Sequence, residues 1–473
     1  MSRLAACLIL LLGCIAPAWA AGRSPPNFGM VSSLLGWLAL AVFVLAYLGV
    51  IFEERIKLAK SKPVMLGAAL IWGMLAWHVG SGGEVEPVRV AFEDMFLEFA
   101  ELFFFLVVAM TYVTGMGERG VFEALRAALT RRNLGYRMLF WLTGILGFFL
   151  SALLDNLTTS LVMSAVILAV GGGNARFVVL AFINLVVAAN AGGAWSAFGD
   201  ITTLMVWQAH VLDFFEFFRL FVPALVTWLV PAVILSFAVP KDRPARMEGT
   251  AHIKPGGIGI CVSFALTIII TVAGKQWLGM PPVYGMLTGL ALLNLLASSI
   301  DSRQRRYALA QGADHEPYSI FRIIANAEWD TLLFFYGVLA CVGGLAAMGF
   351  LELASTHVYG TLGFTFANSI MGVLSAVVDN IPIMFSVLQM QPPMDHGQWL
   401  LITLTAGVGG SLLSVGSAAG VALMGSSRGM YTFMAHLRWS WAIALGYVAG
   451  IATHLWVNSQ HFSNGIWASI PSP

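Results

Sequence analysis

Charge is scarce in this chain. Asp, Glu, Lys and Arg make up 10% of its 473 residues, where a soluble globular domain carries about a quarter. The deficit excludes a soluble enzyme. Basic residues number 25 against 24 acidic ones and fall in short clusters, never in one long run, so no nucleic acid partner is expected. Cysteine is nearly missing too. Cys7 and Cys14 lie at the N-terminal end and Cys261 and Cys341 in apolar runs, which leaves no disulfide framework and no cysteine-based metal spacing. The glycine-rich Gly171-Gly172-Gly173 lacks the lysine of a phosphate loop. Hydrophobic residues fill the gap, at 59% of the chain with a mean hydropathy of +0.83. The fold class that follows is an all-α polytopic membrane protein, because the apolar residues come in continuous runs long enough for helices to span the bilayer.

Residues 1–21 read as a signal peptide: Arg3, the apolar run 8–12, then small residues ending at Ala20 and Ala21. An uncleaved extra helix is the alternative, although the run is short for a span of about 20 residues. Beyond it, apolar windows of spanning length lie near 32–51, 64–80, 98–115, 220–239, 257–274, 283–300, 328–350 and 438–457. The stretches 213–219 and 430–438 are short and amphipathic and suit the membrane surface.

Lysine and arginine set the orientation. Segments 52–63, 117–137, 174–176, 240–255, 301–322 and 425–438 hold nearly all of them, including Arg131, Arg132, Arg246 and Arg428. The opposite side keeps Arg23, Arg89, Arg219 and Lys275. The rich side is cytoplasmic, which puts the mature N-terminus and the C-terminus outside. Both flanks of the Asp155 region, Arg137 and Arg176, are basic, so that region enters and returns as a re-entrant hairpin. The Asp379 region does the same from the other face.

Two regions, 137–209 and 360–424, interrupt their apolar runs with the same pattern. Ser151-Ala-Leu-Leu-Asp155-Asn156-Leu-Thr158-Thr159 recurs as Ser375-Ala-Val-Val-Asp379-Asn380-Ile-Pro382. Downstream, the glycines at 192, 193 and 199 recur at 409, 410 and 416, and upstream Glu101 matches Asp330. The expected architecture is an inverted-topology repeat with two re-entrant hairpins and two broken transmembrane helices. The first repeat covers 22–239, with its tip at 155–159 and broken helix at 177–209. A cytoplasmic linker follows at 240–256. The second repeat covers 257–473, with its tip at 379–383 and broken helix at 398–424. This is the pattern of a secondary transporter with a site near the membrane midplane.

The tips supply hard oxygen ligands: Ser151, Asp155, Asn156, Thr158 and Thr159 in one, Ser375, Asp379 and Asn380 in the other. Such ligands suit a hard cation, and an ion in hydrocarbon costs at least about 2.5–3.5 kcal/mol unless it has a function. Asn190, Asp200, Thr202 and Thr203 flank the first helix break, while Ser411, Ser414 and Ser417 flank the second without a carboxylate. Asp155 and Asp379 are expected to approach each other and to hold either protons or a cation. Asp200 is expected as a third titrating group. Glu101 and Asp330, near span ends, are equally suited to a proton pathway or to a structural role.

The paired Ser-Ala-x-x-Asp-Asn tips and the Gly-Gly-x-x-Ser-x-x-Gly-Asp-x-Thr-Thr break resemble the NhaD-type sodium/proton antiporters of the ion transporter superfamily. The resemblance covers nearly the whole mature chain. It implies export of Na+, often Li+, against entry of H+ across a bacterial inner membrane, by a homodimer in lipid with no cofactor. Carried over by position, the ion-handling residues are Glu101, Ser151, Asp155, Asn156, Asn190, Asp200, Thr202, Thr203, Asp330, Ser375, Asp379, Asn380, Ser414 and Ser417, with Na+ at Asp155, Asn156, Asp379 and Asn380. Two other classes remain as alternatives: an anion carrier for dicarboxylate, citrate or arsenite, and an intramembrane hydrolase built on Ser414, Ser417 and His454. Aspartates at both tips disfavour the anion, and the lack of a Gly-x-Ser-x-Gly elbow disfavours the hydrolase.

Overall fold

The computed structural model describes residues 27–83, 85–130, 134–171, 173–243, 252–311, 317–427 and 429–468. The expected signal peptide, both N-terminal cysteines, the middle of the linker, and Arg23, Arg131, Arg132, Arg246 and Arg428 lie outside them. The regular structure of the described residues is all helical, with no strand among them. Ten helices among the described residues are long and apolar enough to cross a membrane, so this is a multi-pass membrane protein.

In chain order the helices are α1 (Leu34–Ile51), α2 (Ser61–Gly80), α3 (Glu86–Glu118), α4 (Val121–Thr130), α5 (Tyr136–Leu154), α6 (Asn156–Gly171), α7 (Ala175–Ala194), α8 (Ile201–Gln208), α9 (Phe221–Ala238), α10 (Gly257–Leu278), α11 (Pro282–Gln311), α12 (Trp329–Ala347), α13 (Phe350–Leu362), α14 (Phe364–Val378), α15 (Asn380–Met390), α16 (His396–Gly409), α17 (Ala418–Ser426) and α18 (Ser440–Val457). All eight apolar windows seen in the sequence become helices. The expected elements change in three places, of which the extension of α11 to Gln311 is one. Helix α3 begins at Glu86, because Pro87 suits a first helical turn and Arg89 pairs with Glu86 and Glu93 to carry the polar end onward. Glu101 is therefore in mid-helix and not near a span end. Helix α13 has no counterpart in the sequence reading. It meets α14 at 119° across Gly363, whose φ of 72° suits glycine. The amphipathic stretches form a 3-10 helix, Phe214–Leu220, and a short helix, Phe433–Leu437.

The helices sort into two groups by packing. Helices α1, α2 and α12 pack together, α10 and α11 pack together, and α3 touches both sets. Around α7 and α16 gather α5, α6, α8, α9, α14, α15, α17 and α18. The α7 span is 94% buried and α1 only 22%, so α7 is a central rod and α1 a peripheral one.

The chain folds back at each tip. Helix α5 ends at Leu154, Asp155 is its C-cap and α6 begins at Asn156, and the Tyr136 hydroxyl at the start of α5 donates to the Gly171 carbonyl at the end of α6 (3.1 Å). Likewise Asn368, near the start of α14, donates to Met394 Sδ (3.2 Å), just beyond the end of α15. The breaks downstream are also paired: α7 stops at Ala194 and α8 starts at Ile201, while α16 stops at Gly409 and α17 starts at Ala418.

Glycine permits this packing through its missing side chain. A Cβ on Gly192 would sit 2.1 Å from the Phe148 carbonyl oxygen, and one on Gly409 would sit 1.8 Å from that of Gly372. Helix α5 against α7, and α14 against α16, thus touch backbone to backbone. Gly409→Ala and Gly192→Ala are expected to lower the thermal midpoint of the detergent-solubilised protein by several degrees, since overpacking costs about 1–3 kcal/mol. Gly73→Ala in α2, where a Cβ meets nothing within 4 Å, is expected to leave it unchanged or slightly raised. Fluorescence-detected thermal melts compare the three.

Candidate functional site

Each tip carries its aspartate in a conformation that non-glycine residues avoid. Asp155 has φ 66° and ψ 164°, and Asp379 has φ 76° and ψ 148°. Such backbone costs on the order of 1–3 kcal/mol. What each carboxylate does locally is cap the helix that follows. Asp155 Oδ1 accepts from the Thr158 backbone N–H (2.7 Å) and Oδ2 from the Thr158 hydroxyl (2.9 Å). Asp379 Oδ1 accepts from the Asn380 N–H (2.8 Å). The serine preceding each tip fastens the hairpin to its rod. Ser151 donates to the Ala189 carbonyl (2.6 Å), and Ser375 to that of Ala406 (3.0 Å).

The side chains that meet between the tips are the amides. Asn380 Nδ2 donates to Asp200 Oδ2 at 2.8 Å, and Asn156 Nδ2 donates to the same oxygen at 3.2 Å. Asn156 also reaches Asn190 Oδ1 (3.0 Å), and Asn190 in turn donates to the hydroxyls of Ser411 (2.8 Å) and Ser417 (3.0 Å) of the second break. The hub of this network is Asp200, buried at 3% exposure. It caps α8 in a reciprocal box with Thr203, whose hydroxyl accepts from the Asp200 N–H at 3.2 Å. Asp155 and Asp379 both act on it through space.

The tip carboxylates are hydrogen-bonded to their own helix starts and not to each other. The reason is local: at positive φ each aspartate turns onto its own helix N-terminus, and the asparagine that follows is the group left pointing inward. Among the described residues, no three His, Cys, Asp or Glu side chains form a metal-holding group.

The remaining candidates divide. Thr202 is fully buried and its hydroxyl has no partner among the described residues, as is true of Thr159 and Ser160 below the first tip. Ser417 caps α17 through the Gly420 N–H (3.3 Å) and occupies the place in the second break that Asp200 holds in the first. Ser414 points away, toward Met424 Sδ (3.3 Å). Asp330 accepts from Ser61 at the head of α2, and Glu101 feels Lys275. Neither is hydrogen-bonded to the tips. His454 binds the Gly397 carbonyl (2.9 Å) and Asn458, so no serine–histidine pair forms with Ser414 or Ser417. Residues the sequence reading left out include Tyr47, whose hydroxyl donates to the Val378 carbonyl beside the second tip, and Lys60, which acts on Asp379 from the start of α2. Nothing in their local sequence marks them, since the contacts cross more than 300 residues.

A cavity opens onto Asp155 and Asp200. Its walls are apolar: Phe105 and Ala109 of α3, Leu154 at the tip, Phe198 and Leu204 around the break, and Phe264 and Met286 of α10 and α11. The cavity thus combines apolar walls with two carboxylates, the half-buried Asp155 and the buried Asp200, and carboxylate oxygens are ligands that suit a hard cation.

Comparison with known proteins agrees in kind. A family model described as a citrate transporter matches residues 31–407. The Na(+)/H(+) antiporter NhaD of Alkalimonas amylolytica is 48% identical over 478 residues, covering 98% of this chain and 98% of that protein. The NhaD of Vibrio cholerae serotype O1 is 50% identical, covering 91% and 94%. Sodium/proton antiporter 1 of Arabidopsis thaliana is 30% identical, covering 93% and 76%. With its tips, its breaks and this likeness along almost its whole length, the chain belongs to the NhaD-type sodium/proton antiporter family.

Proposed function

We propose that the protein exchanges cytoplasmic Na+, and also Li+, for external H+ across a bacterial inner membrane. The observation that carries this reading is the convergence of Asn156 and Asn380, one from each tip, on the single buried carboxylate Asp200. A group held by both halves responds to any movement of either. Asp155, Asp200 and Asp379 each hold a proton or share a sodium ion. Asn156, Asn380, Thr202 and backbone carbonyls at the breaks complete the shell. Binding one species expels the other, and this competition couples the two gradients.

The fold is read as two inverted repeats, 22–239 and 257–473, joined by the linker 240–256, with α5–α6 and α14–α15 as re-entrant hairpins. The matched glycine contacts and serine bonds support that reading, as does the correspondence of Asp200 with Ser417. Alternating access then comes from movement of the group around α7 and α16 against the helices α1–α3 and α10–α12. The cavity at Asp155 is the route to one side. The molecule works as a homodimer in lipid, with its mature N-terminus and its C-terminus outside, and needs no bound cofactor.

A second reading, anion carriage, has in its favour the citrate-transporter description of the matching family model. Against it stand Asp155 and Asp200 on one cavity, two carboxylates that would repel a dicarboxylate or citrate.

In everted vesicles energised by respiration, added NaCl or LiCl is expected to dissipate the pH gradient. Asp155→Asn, Asp200→Asn and Asp379→Asn should each reduce that response at least about tenfold. Asn156→Ala and Asn380→Ala should raise the half-saturating Na+ concentration by roughly tenfold, the loss of a hydrogen bond to a charged group. A Na+ response that survives all three aspartate substitutions, or citrate uptake in its place, would sink the exchange reading.

A separate expectation comes from the strained tips. Asp155→Gly and Asp379→Gly relieve a backbone cost of about 1–3 kcal/mol and give up little capping, since glycine is a fair N-cap. Each should raise the thermal midpoint while eliminating exchange. A lower midpoint for both would mean that the positive φ carries no strain.

A further inference from the structure

The cavity onto Asp155 and Asp200 lies between elements of the two packing groups, with Leu204 of α8 on one side and Phe264 of α10 on the other. Where those elements end, one side chain joins them. Lys275, in the last turn of α10, donates from its ammonium to the Trp207 carbonyl and sits 4.5 Å from the centroid of the Trp207 indole. Trp207 is 1% exposed and is the penultimate residue of α8, the helix that Asp200 caps.

A lysine in the last turn of a span has a cheap alternative, which is to extend into the headgroup region and water. Its neighbours Trp277 and Leu278 do face outward, at 81% and 68% exposure. Lys275 turns inward instead. The C-terminal carbonyls of a helix carry partial negative charge and attract a cation, and a helix of one or two turns has little else to hold its end. The charged groups around the ammonium are Glu101 from α3, and Asp213 and His210 from the segment after α8. The contact also extends to the cavity wall: Trp207 packs on Phe198 (5.4 Å between centroids), and Phe198 stacks on Phe105 (5.5 Å).

We propose that Lys275 is a latch, a positioning residue that pins the C-terminal end of the Asp200-bearing helix to α10 and so sets how far the cavity opens. Helix α8 is anchored at its two ends to different partners. Asp200 at its start belongs to the hub with both tips, and Trp207 at its end is held by a scaffold helix. Releasing the second anchor lets α8 and the hub shift away from Phe264 and widens the path to Asp155. The use of such a latch in turnover rests on the exchange reading, but the contact itself does not.

The test is thiol accessibility. With the native cysteines replaced by alanine, Leu204→Cys is introduced into the cavity wall. Its labelling rate by a membrane-impermeant maleimide is measured in right-side-out and everted vesicles with Lys275, Lys275→Met and Lys275→Arg. Met keeps the stem and loses the charge, and Arg keeps a charged donor. The latch requires labelling from one side to rise roughly tenfold in Lys275→Met, as expected for loss of a charge-assisted hydrogen bond, and to stay near the starting rate in Lys275→Arg. Equal rates in all three, or an equal rise in Met and Arg, would overturn it. Because labelling needs no transported ion, a latch that holds in a protein without Na+-driven proton movement would discard the exchange reading alone.

Discussion

Hydrocarbon offers no water to an unpaired donor or acceptor, and that constraint organises the molecule. Besides the bend at Gly363, four chain breaks lie among apolar helices, at Asp155, at Asp379, at 195–200 and at 410–417, and each frees backbone groups that must be satisfied inside the protein. The solution is to bring the breaks together. Three of the four helices that restart after a break do so at an aspartate, and the fourth at Ser417. A carboxylate at a helix N-terminus meets free N–H groups and the positive end of the dipole, which offsets part of the cost of burying it. In the exchange proposed above, the same arrangement lets the site persist between cargoes, because helix ends and the amides of Asn156 and Asn380 supply hydrogen bonds to the Asp200 carboxylate. An exchanger needs that property, since it must release one cargo before taking the next.

The two breaks match closely, which makes one difference between them informative. Gly193 approaches Gly199, and Gly410 approaches Gly416, through the same kind of contact: an added Cβ would lie 2.5 Å and 2.6 Å from the facing carbonyl oxygen. The residue after each second glycine caps the next helix, yet one is Asp200 and the other Ser417. Both tip amides donate to the aspartate, whereas Ser417 receives bonds from Asn190 and from the Gly420 N–H but none from a tip amide. The frame is thus doubled and the charge at its centre is single. A carboxylate in both breaks would have set four buried negative groups around one site, with repulsion that two amides do not offset.

Much of this was legible in the sequence because the repeated motifs are local. Asp-Asn between apolar runs, glycine pairs at matched spacing and the lysine and arginine clusters are read from short windows, and they located the tips, the breaks and eight helices. The direction of the tip carboxylates was not legible. A sequence shows that Asp155 and Asp379 are buried in matched places but not that positive φ turns each onto its own helix, which leaves the asparagines as the inward groups. The length of α3 was hidden because its first turns are polar, and α13 because Glu352, Ser355 and His357 break its apolar pattern. Contacts such as Tyr47 with Val378 have no sequence signal, because they depend on how distant segments pack.

The packing also indicates which parts move as units in the exchange proposed above. Within the inner group, α5 lies on α7 and α14 on α16 through glycine, with backbone against backbone and bonds from Ser151 and Ser375 across each contact. Such interfaces have no room to slide, because a small displacement drives main-chain atoms together. Between the groups the contacts are of another kind: the Phe105–Phe198 ring pair, Tyr47 on Val378, Gln389 on Glu98 and Lys275 on Trp207. These are side-chain tips that can let go and re-form one at a time. A tip and its rod therefore travel together, and displacement is confined to the surface between the groups, which is where the cavity onto Asp155 and Asp200 already lies.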